Sequence, residues 1–346
     1  MHFGTFMEFG TRPGGNHAEA FREGFTHAAT AEAEGLDSVW LAEFHFMPDR
    51  SVLSSPIGVA GALAAATTRV RIGMAVYVLP LANPLRVAEE AATVDQISGG
   101  RLDFGIGRSG FARQYNAYAI DYGESQARFA EAMQVIREAW KGERFTFDGE
   151  FYHVREALVV PQPVQRPHPP MRMAANTPST FPQVAEQGLP LFVGLRGDGL
   201  GTLKANIDAY KAAWRDSGQA GPANVFLRVP VFAAATEAAA YDQPRDCIVH
   251  YFERQARLVA TAGAQGPDAG RGGISAQLAS LSYDDILASR VAFGTPGMLV
   301  ERLGEWREVL GIDGIVMELN AGNMLTEEQV LTSLRLVARE VMPALR

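Results

Sequence analysis

The chain has 346 residues, 47% of them apolar, with a formal net charge of −8 and one cysteine, Cys247. That is enough apolar matter for a large core, and an acidic balance with no basic run argues against nucleic acid or an anionic membrane as partner. A single cysteine excludes a disulfide framework and a cysteine metal cluster, and no apolar stretch is long enough to span a bilayer, so a cytoplasmic protein acting on small molecules is expected.

Strand and helix signals alternate along the chain. His2 to Glu8 reads as a first strand, and a Gly-rich loop leads to a helix from about His17 to Glu34 that stops at Gly35. Ser38 to Glu43 is a second strand, and Val70 to Pro80 a third, buried one. Helices are predicted to start at Ser55-Pro56, Asn83-Pro84, Thr177-Pro178 and Thr295-Pro296, where a capping residue precedes a proline suited to the first helical position. The fourth strand spans Leu102 to Gly107. A helix from about Ser125 to Lys141 follows, then a hairpin from Phe145 to Val154 with Asp148-Gly149 in its turn.

After the extended connector Pro161 to Pro170 come strands at Met171 to Ala175, Leu191 to Gly194 and Val225 to Ala235. The Gly-rich stretch that follows, about 263–277, interrupts the pattern and reads as a mobile loop. An eighth strand, Gly314 to Leu319, and a helix opened by the capping box Thr326 to Gln329 end the series. Eight strands alternating with helices imply a (β/α)8 TIM barrel forming one domain over 1–346, with an insertion and mobile loop after strand seven. The residues at the C-terminal ends of the strands should then line the active face.

One such end is Phe104-Gly105-Ile106-Gly107-Arg108, where two glycines leave the backbone open to a planar ligand and an arginine offers a forked donor set to phosphate. One strand over, Ala175-Asn176-Thr177-Pro178-Ser179-Thr180 supplies amides and hydroxyls at a predicted helix N-terminus, a second place for an anion. Phe6, Phe44, Tyr77, Phe111 and Tyr115 are candidates for an apolar substrate pocket.

Glu43-Phe44-His45-Phe46, Val78-Leu79-Pro80 with Asn83-Pro84, Asp95 to Arg101, Phe104 to Arg108, Gly188-Leu189-Pro190, Gly294-Thr295-Pro296 and Val341-Met342-Pro343 resemble, in the same order, the bacterial luciferase-like flavin monooxygenases. The resemblance implies a commonly dimeric barrel that takes reduced FMN from a separate NAD(P)H-dependent flavin reductase and uses O₂ to put one oxygen atom into an apolar aldehyde, ketone or related small molecule. It implies that Arg108, Asn176, Thr177 and Thr180 hold the FMN phosphate, with Ala175 and Gly107 beside the cofactor, and that Met74-Ala75 packs on the isoalloxazine ring. Leu195 stands where luciferases place a tryptophan near the ring, and Gly107 where they place a reactive cysteine, which implies a reshaped substrate cavity. The family's first histidine after the strand-two glutamate is Phe44 here. His45 is the remaining imidazole, at the family's second-histidine position near the subunit interface. Two other readings stay open: a deazaflavin-dependent oxidoreductase moving hydride, and a non-catalytic flavin-binding protein.

Overall fold

The computed structural model describes residues 1–195, 199–263 and 271–346. Its strands, in chain order, are β1 (His2–Met7), β2 (Ser38–Leu41), β3 (Arg71–Met74), β4 (Tyr77–Val78), β5 (Leu102–Gly107), β6 (Phe145–Asp148), β7 (His153–Ala157), β8 (Met171–Ala174), β9 (Leu191–Gly194), β10 (Val225–Ala233), β11 (Ala292–Gly294) and β12 (Gly314–Glu318). Strands β1, β2, β3, β5, β8, β9, β10 and β12 pair in parallel in that order, and β12 returns to β1, so the sheet closes into an eight-stranded barrel. Strands β6 and β7 form the expected hairpin outside it.

Local chemistry accounts for many of the boundaries. Asn16 and Glu19 form a reciprocal capping box at the start of the helix His17–Ala33, and Gly35, at φ +80°, lets the chain leave it. Proline opens the helices Pro56–Ala66, Pro84–Ser98 and Pro296–Leu310 as predicted, and Thr326 with Gln329 caps the helix Glu327–Leu336.

Three expectations are corrected. The third strand is broken: β3 ends at Met74, a cis peptide joins Ala75 to Val76, and β4 resumes pairing against β5. The helix expected from Pro178 begins at Thr180, because residues 177–179 close turns instead, Thr180 N donating to Thr177 O and Phe181 N to Pro178 O. Part of the stretch read as a mobile loop is helical, Arg271–Ala279, while 264–270 lie outside the described residues.

Period-two alternation sorts the barrel side chains. Phe3, Val39, Leu41, Ile72, Phe104 and Ile106 join the core between barrel and helices, whereas Phe6, Trp40, Phe192, Phe226 and Val316 form a second cluster inside the barrel. Trp40 is fully buried there, and glycines make the room: a Cβ on Gly73 would lie 2.3 Å from its ring, and one on Gly4 2.9 Å from its Nε1.

On the outer side, Thr5 Oγ1 lies 2.9 Å from His27 Nε2, and burial lowers the His27 imidazole to about 4. Inside the barrel, burial likewise lowers His2 to about 4, against the pull of Asp37. Between pH 6.5 and 4 the unfolded chain therefore binds protons that the folded chain refuses, and stability falls as the pH drops through that window. His27→Gln should flatten the fall by about 2–3 kcal/mol, read from urea midpoints at a series of pH values. An unchanged slope would show that His27 titrates normally.

Candidate active site

The strand ends of β1, β2, β5, β8, β10 and β12 bring polar groups from distant parts of the chain to one mouth. At the end of β5, Arg108 is half-buried, donates from Nη1 to Ser125 Oγ at 3.0 Å, and lies 5.7 Å from the Tyr122 ring centroid. No carboxylate pairs with it among the described residues. Buried Tyr115 donates its hydroxyl to the Arg108 carbonyl and so pins the backbone below the guanidinium. Because β5 pairs with β8 through Ile106 and Met173, the exposed segment Asn176 to Ser179 emerges on the neighbouring strand. An unpaired cation beside exposed hydroxyl and amide groups is the donor set a phosphate monoester needs. The Thr180 amide, spent on Thr177 O, is not among those donors.

The glycines of β5 work differently from the expectation. A Cβ on Gly105 would sit 1.8 Å from the Met74 carbonyl oxygen, and one on Gly107 2.4 Å from Val76 Cγ2. Backbone and valine already fill both places, so neither glycine opens space for a ligand. Gly105→Ala drives a methyl into main chain that cannot swing away, while Gly107→Ala meets a side chain that can. The first should cost more than about 3 kcal/mol and the second about 1–3 kcal/mol in urea unfolding. Equal costs would place the strain elsewhere.

Beside the mouth, His45 Nε2 donates to Glu43 Oε1 at 2.7 Å, and Tyr118 Oη meets His45 Nδ1 at 3.1 Å. The second Glu43 oxygen accepts from Val78 N at 2.8 Å. Both ring nitrogens of His45 are thus engaged. Glu43 ties β4 to the loop after β2, and His45 links Glu43 to Tyr118.

The alternation also relocates several predicted residues. Met74 and Ala175 are buried in the core between barrel and helices, whereas Ala75 and Phe44 pack on the cluster inside the barrel. Of the aromatic and aliphatic residues expected to line a substrate pocket, Tyr77, Tyr115 and Leu195 are buried in the fold, and Phe6 lies under the Arg228 guanidinium at 3.8 Å. Phe44 is stacked under Arg50, also at 3.8 Å. Phe111 lines the large cavity of about 1170 Å³ that opens over the ends of β1, β2 and β12. That cavity adjoins Arg108 through Gln114, which accepts from Ser109 Oγ at 3.0 Å and lies 3.4 Å from the His45 carbonyl oxygen.

Under the mouth is a charged cluster that sequence reasoning did not assemble. Arg50 donates to Glu8 from Nε at 3.0 Å and Nη2 at 2.6 Å, and Arg228 donates to Glu318 at 2.9 and 2.6 Å. Arg228 and Arg254 also approach Glu8, at 3.5 and 3.6 Å. Burial by itself raises the Glu8 carboxyl, but Arg50, with Arg228 and Arg254, reverses this and holds it below its ordinary value. Burial keeps Glu318 above its ordinary value, helped by repulsion from Glu8 and opposed by Arg228. A legible signal existed in Arg228, a cation at an inward position of the apolar run Val225-Phe226-Leu227-Arg228-Val229. Arg254 had none, since it arrives on the helix Arg245–Gly263 of the insertion.

The family model for luciferase-like monooxygenase matches residues 1–314. The chain is 32% identical to the oxygenase component of the flavin-dependent trigonelline monooxygenase of Acinetobacter baylyi, over 46% of this chain and 44% of that one. Among solved structures it resembles the oxygenating constituent of 3,6-diketocamphane monooxygenase from Pseudomonas putida in complex with FMN, with a TM-score of 0.85 and 20% identity over 99% of this chain and 98% of that one. It also resembles an F420-dependent secondary alcohol dehydrogenase, with a TM-score of 0.77 and 19% identity over 100% and 99% of the two chains. With its closed parallel barrel and a family match over nearly its whole length, this chain belongs to the luciferase-like monooxygenases.

Proposed function

We propose that the chain is the oxygenase component of a two-component FMN-dependent monooxygenase, working as a homodimer with an NAD(P)H-dependent flavin reductase. The observation that carries the reading is Arg108, a cation without a carboxylate partner among the described residues, set beside the exposed donors of 176–179 at the barrel mouth. Reduced FMN, when bound, supplies the activation of O₂ for transfer of one oxygen atom to a small carbonyl compound or related organic substrate. Arg108 would hold the phosphate, joined by Asn176 and Thr177. Ala75 and Phe44, packed on the inner cluster, would present an apolar surface to the ring and keep water from it. His45 would act as a positioning residue, fixing Glu43 and Tyr118.

Stopped-flow absorbance tests this. Reduced FMN premixed with the protein and then mixed with oxygenated buffer should reoxidise at least about tenfold more slowly than free flavin, and faster again with a true substrate. Reoxidation at the free rate would overturn the reading. Tight F420 binding with hydride transfer and no O₂ uptake would point to the deazaflavin alternative, which the dehydrogenase neighbour favours. FMN binding without turnover on any substrate would leave a flavin-binding protein.

A further inference from the structure

We infer that the large cavity beside the mouth binds a small organic acid: a molecule with an apolar body and a carboxylate end, or a sulfonate of the same geometry. As a statement about substrate it rests on the oxygenase reading; as a statement about binding it stands on the cavity.

The chain as a whole carries a net charge of −8, yet among the described residues the wall of this cavity has five arginines and one carboxylate, Asp49. Two of those arginines are answered elsewhere, Arg12 by Glu23 and Arg50 by Glu8. Arg254 is buried and donates to the neutral carbonyls of Asp49 and Ala321 at 3.0 and 3.1 Å, and its Nε has no partner. The carboxylate nearest to it, Glu8 at 3.6 Å, is already shared with Arg50 and Arg228. Arg113 and Arg257 stand exposed, with no ion pair among the described residues. Positive charge left uncompensated in a concave wall concentrates the potential inside it and raises the local concentration of anions.

The remaining wall combines apolar side chains, Phe111, Leu258 and Met324, with neutral amides such as Gln114 and Asn323 and with the imidazoles of His17 and His250. A volume of about 1170 Å³ accepts a molecule larger than a simple aldehyde. The chemistry of the wall therefore narrows the expectation of an apolar aldehyde, ketone or related molecule: an uncharged occupant would leave Arg113 and Arg257 without an anion to meet. Gln114, between this cavity and the strand end that carries Arg108, puts the acid within one residue's breadth of the proposed flavin site.

The test is titration calorimetry on the flavin-free protein with 4-phenylbenzoate and decanoate, each beside its primary amide. The acids should bind at least about tenfold more tightly than the amides, a preference that shrinks between about 0.05 and 0.5 M salt. In the double variant Arg113→Gln with Arg257→Gln, the ratio should fall toward one while FMN affinity and the circular dichroism spectrum are kept. Amides binding as well as acids, or a preference that survives the double variant, would overturn the inference. Failure of the wild type to bind FMN would strike the oxygenase reading separately, and the acid-to-amide ratio would still decide this cavity.

Discussion

Arg108→Ala should weaken FMN binding by about 10–100-fold while leaving riboflavin binding unchanged. A charge-assisted hydrogen bond contributes about 1.5–3 kcal/mol, and each 1.4 kcal/mol is a factor of ten in affinity. The guanidinium has no carboxylate to give up among the described residues, since its partners are the Ser125 hydroxyl and the Tyr122 ring face, so little of that free energy is offset on binding. Riboflavin lacks the phosphate and serves as the internal control. Fluorescence titration of both flavins against wild type and variant makes the comparison. Equal weakening of the two would mean that Arg108 shapes the ring pocket or the fold; no weakening of either would put the phosphate somewhere else.

Glu8→Ala should destabilise the protein by about 3–5 kcal/mol in urea unfolding. Removing one partner from a buried ion cluster leaves charge without compensation, which costs far more than the intact pairs contribute. Here the orphaned cations are Arg50, Arg228 and Arg254, all buried or nearly so, and Glu318 alone remains to answer them. Glu8→Gln separates the two parts of the effect, because it keeps the shape and a hydrogen-bond acceptor but removes the charge. A loss below about 1 kcal/mol in both variants would show that water reaches the cluster and screens it. In either variant Glu318 loses a like-charged neighbour, so its carboxyl should titrate lower than in the parent protein, visible by carbon NMR of labelled glutamate.

Much of the fold was legible because it is written in short-range patterns. The alternation of strand and helix, the Thr326 cap, and three of the four predicted proline starts depend on groups within a turn of one another. The fourth, at Pro178, failed because turns over 177–179 compete with a helix start using the same residues. Arg108 was also legible, since a cation at the end of an apolar strand has nowhere to go but the barrel mouth.

The rest of the site came from contacts that no local pattern records. Gly105 and Gly107 announce missing side chains, but only the closed barrel reveals that the Met74 carbonyl and Val76 occupy the space. Tyr77 and Tyr115 are chemically fit for a pocket, yet both are buried away from it, Tyr77 against Phe104 in the outer core. The charged cluster joins positions 8, 50, 228, 254 and 318, and the cavity wall joins 12, 50, 113, 254 and 257. Periodicity reports which side of a strand or helix is apolar; it holds no information about which distant charges meet once the barrel closes, and it is those meetings that set the sign of the potential in the cavity.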